Sequence, residues 1–232
     1  MRRESSTVIA LVGYVSGGLL AALAESGNVS VARPTATEPA GPGRAATSAG
    51  PSATWPSAAP GGSAPEPPAP PAWVPGARAL HEAARRRATY VVVPNDPLDG
   101  VAAAWRAMWD VASGPGAAAG FEEQAAETLA AWRSKQFELP DYYLVVPHAE
   151  DSDTGPDFYL GPLRAVRPQR VAVAGRPGAA VAPAEQAVTA GLLDTLRSLA
   201  HGPWWPPLDE LLEAARRFHA GGLAETQQAR YS

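Results

Sequence analysis

The stretch Thr7-Val-Ile-Ala-Leu-Val-Gly-Tyr-Val-Ser-Gly-Gly-Leu-Leu-Ala-Ala-Leu-Ala24 carries no charged residue, and Arg2 and Arg3 precede it. A continuous helix over residues 8–24 would measure about 25 Å at about 1.5 Å per residue. That length falls short of the roughly 30 Å hydrocarbon core but lies within the mismatch that bilayers tolerate. The pattern therefore predicts an apolar amino-terminal helix at residues 8–24 that enters a membrane.

Three uses of this predicted helix are open. It could be retained as an anchor, or it could be a secretory signal that is cleaved after Ala22-Leu-Ala24. No further positive charge occurs before Arg33, so both uses place the rest of the chain outside the cytoplasm. The third use is a cytosolic protein whose amino-terminal interaction helix packs on the chain itself or on a partner.

Gly13 and Gly17 form a small-xxx-small pair inside the same run. On a retained transmembrane helix, such a pair lets two helix backbones approach closely. A homodimer through Gly13 and Gly17 is therefore an expectation that depends on the anchor hypothesis.

The predicted domain organisation divides the chain into four parts. Residues 1–27 are the anchor or signal peptide, and residues 28–76 are a disordered linker. Residues 33–76 contain 12 of the 25 prolines, and such a composition buries too little apolar surface to offset the entropy cost of ordering. Residues 77–222 are predicted to form one globular domain, and residues 223–232 a flexible tail.

The predicted fold class is α+β: a small mixed sheet packed by about four helices. Strands are predicted over residues 89–94 and 141–147. They contain Tyr90-Val-Val-Val-Pro94 and Tyr143-Leu-Val-Val-Pro147, which are apolar on successive residues, as is typical of strands buried on both faces. A further strand pair is predicted at residues 158–163 and 170–174. Helical periodicity predicts helices at 77–87, 96–112, 121–137, 183–200 and 207–220. The expected core side chains include Trp105, Trp109, Trp132, Leu192, Leu196, Leu211 and Phe218.

Composition excludes several classes of function. Without cysteine the chain has no disulfide, thiol nucleophile or thiolate metal site. The formal charge of −4 argues against a nucleic-acid partner. The nucleophile-elbow, zinc-protease and phosphate-loop signatures are missing. The glycines of residues 114–120 join two predicted helices rather than a strand to a helix, so no cofactor is predicted.

The densest polar cluster follows the predicted strand that ends at Pro147. His148 with a carboxylate from Asp151, Asp153 or Asp157 is the catalytic candidate set for an exported hydrolase. The same three aspartates partly match a calcium loop, although Pro162 stands where the bidentate glutamate would be. A solvated acidic turn is the favoured interpretation.

Two further sets are candidates for ligand binding. Arg164, Arg167 and Arg170 could form a cationic strip for an anionic envelope polymer, or could be an exposed edge protected by its charge against aggregation. Trp204 and Trp205 lie on a proline-rich loop, where an exposed ring would offer a platform for a sugar or a proline-rich peptide. If buried, both rings would instead fill the core between the last two helices.

These observations favour a membrane-tethered or secreted, non-enzymatic binding or accessory module at the cell envelope, with an unidentified envelope ligand or protein as its partner. The exported hydrolase and the cytosolic protein with an amino-terminal interaction helix are the alternatives. A pocket in which His148 and a carboxylate converge would favour the hydrolase.

Overall fold

The computed structural model describes residues 6–13, 15–32, 69–109, 114, 116–146, 157–174 and 184–218, apart from the side chains of 184–188. The described residues within 6–32 and 72–218 form a first compact unit. The strands of the first unit are β1 Thr7–Gly13, β2 Val29–Val31, β3 Tyr90–Val93, β4 Tyr142–Val146 and β5 Val171–Val173. Its helices are α1 Gly17–Ala24, α2 Val74–Ala83, α3 Asp99–Ala107, α4 Ala117–Arg133, α5 Arg164–Val166, α6 Ala184–Arg197 and α7 Leu208–Arg217. A π-helical turn, Tyr159–Leu163, precedes α5, and a 3₁₀ turn, Pro168–Arg170, precedes β5.

The amino-terminal apolar run forms the central strand of the sheet. The strand order is β2-β3-β1-β4-β5, and every pairing among these described strands is parallel. β1 pairs with β3 through Thr7 opposite Tyr90 and with β4 through Leu11 opposite Leu144. A strand with neighbours on both sides and helices on both faces is apolar on successive residues, as β1 is from Val8 to Val12.

The expectation of one apolar helix over residues 8–24 is therefore wrong. Its first half is β1, which is rich in β-branched residues, and only Gly17–Ala24 is helical. Gly13 and Gly17 do not lie on one helix face, so the small-xxx-small dimer motif has no helix to present it. None of the helices in the described part of the chain has the length and apolar character needed to cross a bilayer.

Gly13 marks the point where the chain leaves the sheet. Its φ of +95° lies in the region that favours glycine, and a Cβ there would collide with the main-chain oxygen of Val146. Three residues later Ser16 caps α1: its side-chain Oγ accepts a 3.0 Å hydrogen bond from the Leu19 N–H. A strand, a glycine exit and a capped helix thus replace the continuous helix expected from hydropathy.

Helices cover both faces of the sheet, so the described structure is mixed α/β rather than α+β with a mixed sheet. On one face, Val8, Ala10 and Val12 of β1 join a core formed with α2, α3, α4, α7 and the π-helical turn. On the other face, Ile9 and Leu11 pack with apolar residues of α1 and α6. The β1–β2 connection contains α1, which lies on the face of Ile9 and Leu11. The connections that lead to β4 and β5 contain α3, α4 and the π-helical turn, which lie on the face of Val8, Ala10 and Val12. This arrangement agrees with one handedness for all parallel crossovers.

Several predicted elements are confirmed. β3 and β4 fall within the predicted strands, β5 falls within residues 170–174, and α3, α4, α6 and α7 lie close to their predicted ranges. Trp105, Leu192, Leu196 and Leu211 are buried, and Trp109, Trp132 and Phe218 are partly buried against the core.

Two local predictions are wrong. Residues 158–163 form a helical segment instead of a strand, and Pro162 inside it has no N–H to donate to a sheet. The predicted linker also overlaps regular structure, because β2 occupies Val29–Val31 and α2 begins at Val74. Most of the predicted linker and the whole predicted tail lie outside the described residues.

Candidate functional site

The described residues form a cleft at the edge of the sheet where the strands begin. Its volume is about 1020 Å³, and Ser6, Asp141 and Arg170, which immediately precede β1, β4 and β5, line it. The loop Pro203–Pro207 and Trp132 form other parts of the wall. The cleft therefore lies at the amino edge, opposite the edge where sites of parallel α/β folds usually lie.

The two adjacent tryptophans of this loop have different roles. The Trp205 indole is buried, donates a 2.8 Å hydrogen bond from Nε1 to the Pro140 carbonyl, and packs edge-on against Tyr143 with 5.5 Å between ring centroids. Trp204 is 51% exposed and is the large hydrophobic residue that the described surface presents to solvent. Trp205 thus fastens the loop to the core, while Trp204 faces the cleft.

Arg170 fixes the main chain at the start of the loop Pro203–Pro207. Its guanidinium donates from Nε to the Pro203 carbonyl at 3.1 Å, from Nη1 to the Asp141 carbonyl at 3.2 Å, and from Nη2 to the Gly202 carbonyl at 2.8 Å. The guanidinium carbon also lies 4.8 Å from the ring centroids of both Tyr142 and Trp204. All three guanidinium nitrogens therefore serve the protein's own main chain.

Arg167, another of the three candidate arginines, is also bonded to main-chain carbonyls. Arg167 donates from Nε to the Trp204 carbonyl at 2.8 Å and from Nη1 to the Val166 carbonyl at 3.0 Å. Arg164 begins α5 and is half-buried. The structure thus gives Arg167 and Arg170 a shared task, which is to fix the main chain beside Trp204.

A second group of polar side chains lies at the carboxyl edge of the sheet. Asp96 follows β3 and is buried, and its Oδ1 lies 3.0 Å from the Tyr143 hydroxyl. The Tyr159 hydroxyl lies 2.9 Å from Asp96 Oδ2 and 3.1 Å from Asp99 Oδ1. The Asp96 N–H donates to Asp99 Oδ2 at 3.1 Å. We call these four residues the carboxyl–phenol cluster.

Burial dominates the acid–base properties of this cluster. It raises the pKa of Asp96 well above its usual range, and the negative charge of Asp99 raises it further, against the hydrogen bonds from the two tyrosines and the Leu98 main chain. The pKa of Asp99 is raised because surrounding atoms withdraw its carboxyl group from water, although the residue reaches the surface. Burial, followed by the charge of Asp96, raises the pKa values of Tyr143 and Tyr159 well above 10.0.

The predicted acidic site cannot be assembled from the described residues. His148, Asp151 and Asp153 lie outside them, whereas Asp157 is buried at the start of the helical segment that contains the π-helical turn. Among the residues whose positions are described, no group of three or more potential metal ligands comes together. The buried position of Asp157 differs from that of a residue in a solvated turn.

The carboxyl–phenol cluster was not anticipated from the sequence. The helix predicted over residues 96–112 places Asp96 and Asp99 in its first turn, and the strand predicted over residues 158–163 contains Tyr159. The available signal was the position of Asp96 directly after a buried parallel strand, where polar side chains of α/β folds gather. Tyr159 reaches Asp96 across 63 positions of sequence, and no local pattern records that contact.

Comparison with protein-family models, with curated proteins and with solved structures finds no match to this chain.

Proposed function

We propose that this chain is a non-enzymatic binding module whose recognition surface is the amino-edge cleft, with the open part of the Trp204 ring as its contact platform. The observation that carries the proposal is the position of Trp204: half of the side chain faces solvent while Arg170 stacks on the ring at 4.8 Å. An exposed aromatic ring held rigidly loses little conformational entropy when a ligand covers it.

The chemistry of the wall favours a proline-containing, extended peptide as the ligand. Leu139, Pro203, Pro206 and Pro207 make much of the wall apolar. A sugar needs several hydrogen-bond donors for its hydroxyl groups, and the guanidinium nitrogens of Arg170 already donate to carbonyls. Aromatic-lined grooves bind polyproline II segments mainly through ring contacts, which suits this cleft better.

In this proposal residues 7–13 are part of the module. The anchor and the cleaved signal both require residues 8–24 to lie outside the sheet, so either use excludes the central strand that β1 supplies. The burial of Val8, Ile9 and Leu11 supports the alternative in which the amino terminus packs on the chain itself. Placement at the cell envelope stays a prediction, as does the hydrolase based on His148, which lies outside the described residues.

The test is calorimetric titration of the full chain with a decaproline peptide and, separately, with a neutral linear oligosaccharide. We expect binding of the peptide that Trp204→Ala abolishes and Trp204→Phe largely retains. Arg197→Ala is the matched surface control, because Arg197 is 72% exposed and forms a local ion pair with Asp194, three residues earlier on the same helix. Peptide binding that survives Trp204→Ala, or binding of the oligosaccharide alone, would overturn the proposed ligand class.

A further inference from the structure

The carboxyl–phenol cluster joins three parts of the chain that are distant in sequence. Asp96 and Asp99 lie around the start of α3, Tyr143 lies on β4, and Tyr159 begins the π-helical turn. The rings of Tyr143 and Tyr159 lie 5.2 Å apart. A fourth element, α2, contributes the main chain of Gly76, at which a Cβ would collide with the Asp96–Pro97 main chain.

Counting hydrogens favours one proton on the two carboxyl groups over two ionised carboxylates. Three oxygen–oxygen contacts of 2.9–3.1 Å connect the two phenols to the two carboxyl groups. Each phenol supplies one hydrogen, so Tyr143 and Tyr159 satisfy two of the contacts. Tyr159 can make one straight hydrogen bond, toward Asp96 or toward Asp99; a hydrogen shared between the two carboxyl groups makes two bent and weaker bonds. The third contact is a straight hydrogen bond only if a carboxyl group carries a hydrogen.

The carboxyl groups of Asp96 and Asp99 differ in their surroundings. Asp96 is 1% exposed, whereas Asp99 reaches the surface and accepts the Asp96 N–H. Among the described residues, Asp99 is the charged group whose field acts on Asp96, and no cation offsets it there. The hydrogen can be carried at Asp96, with Tyr159 donating to Asp99, or at Asp99, with Tyr159 donating to Asp96. Both arrangements satisfy every contact with one carboxyl proton.

We propose that Asp96 and Asp99 keep one proton between them at neutral pH and that Tyr159 relays it, so that the cluster is a pH-sensitive latch between α3 and the π-helical turn. The raised pKa values of both aspartates agree with this count. When the second carboxyl group ionises, one phenol hydrogen faces two negative charges, and the contact that joins the two segments is lost. The latch lies at the opposite edge of the sheet from the amino-edge cleft, and the Tyr143 ring, which packs against Trp205, is the contact between the two sites.

The proposal determines the sign of the pH dependence. An aspartate in the unfolded chain has a pKa of about 3.9, so above about pH 4 the folded state binds one more proton than the unfolded state. The unfolding equilibrium constant of the full chain should then rise about tenfold per pH unit from about pH 4 up to the pKa of the folded pair. Stability from the latch is complete at low pH and is lost as pH rises.

Two isosteric variants test the latch. In Asp96→Asn or Asp99→Asn, the amide N–H supplies the third hydrogen permanently, and the remaining carboxylate has no partner with which to share a proton. Denaturant unfolding between pH 4 and pH 8 should show the tenfold-per-unit rise in the wild-type chain relative to either variant. Arg197→Ala should keep the wild-type profile. Parallel pH profiles for the wild type and both variants would overturn the proposal.

An infrared measurement decides the question even if a variant fails to fold. A protonated carboxylic acid has a carbonyl absorption that a carboxylate lacks. We expect that absorption in the folded wild-type chain at neutral pH, together with its loss when the pH is raised through the pair's pKa. A wild-type spectrum without it at neutral pH would overturn the shared proton.

Discussion

The indole Nε1 of Trp105 donates a 2.9 Å hydrogen bond to the main-chain carbonyl of Ala215, which ties α3 to α7 inside the larger core. Trp105 is fully buried, and its ring contacts those of Trp109, Phe158 and Phe218. The side chain therefore supplies both apolar contact and the hydrogen bond that a carbonyl buried there requires.

Replacing this side chain should separate the two contributions. Trp105→Ala should lower the free energy of unfolding by about 3–5 kcal/mol, because it opens a cavity in a packed core. Trp105→Phe should cost about 1–3 kcal/mol, since the ring contacts are partly kept while the Ala215 carbonyl loses its donor. Denaturant unfolding measures both values. Trp204→Phe is the control, with a change within about 0.5 kcal/mol expected at an exposed site.

Substitution by alanine should change stability in opposite directions at Gly13 and Gly17, the two glycines of the predicted membrane helix. Gly13→Ala should cost more than about 1 kcal/mol, because φ is +95° and the new Cβ would meet the Val146 oxygen. Gly17→Ala should be neutral or stabilising by up to about 1 kcal/mol, because nothing lies within 4 Å of its Cβ position at the start of α1. Thermal unfolding of the two variants side by side checks the contrast. Equal effects would favour a shared helix face.

The elements that sequence could predict are those whose pattern is local. α3 and α7 show helical periodicity, and β3 and β4 are short apolar runs that end before proline. The prediction for β1 was wrong because a strand buried on both faces and an apolar helix have the same hydropathy. What distinguishes them is pairing with β3 and β4, whose residues lie more than 70 positions away.

The candidate sites were predictable to a different extent. The loop with Trp204 and Trp205 stood out from its composition, but which ring faces solvent depends on the Trp205–Pro140 hydrogen bond. The sequence did not predict the roles of Arg167 and Arg170. Both side chains bond to main-chain carbonyl groups, and since every residue has such a group, no residue type marks the partners. The sequence shows where charged side chains occur, but it does not show which main-chain groups lie next to them in the folded protein.

A surface ion pair should contribute a pH dependence of the opposite sign to that of the latch. Arg216 donates two hydrogen bonds, of 2.9 and 2.8 Å, to the Glu122 carboxylate, and these bonds lower the pKa of Glu122. This stability is present above the unfolded glutamate pKa of about 4.3 and is lost as pH falls through the folded value. Because Glu122 is 55% exposed, Glu122→Gln should cost at most about 1 kcal/mol. The cost, measured by urea unfolding at pH 7, should shrink in high salt. A salt-independent loss would show that the pair is not screened as surface pairs are.

The last prediction decides between the sheet and the membrane as the site of the amino-terminal run. Ile9 is fully buried in β1, among residues of α1, α6 and the neighbouring strands. If β1 is the central strand, Ile9→Ala should lower the free energy of unfolding of the purified full chain by about 2–5 kcal/mol, as other large-to-small core changes do. Deleting residues 1–24 should then prevent cooperative folding, because β3 and β4 would lose the strand between them.

The membrane hypotheses predict the reverse for both changes. An anchor or a cleaved signal leaves the stability of the remaining domain unchanged by Ile9→Ala, and the chain without residues 1–24 stays folded and soluble. A reporter that is active only outside the cytoplasm, fused after Ser232, supplies the independent readout. A folded truncated domain together with an active reporter would show that the run belongs to a membrane, whereas an unfolded truncation with a destabilised Ile9→Ala variant would assign it to the sheet.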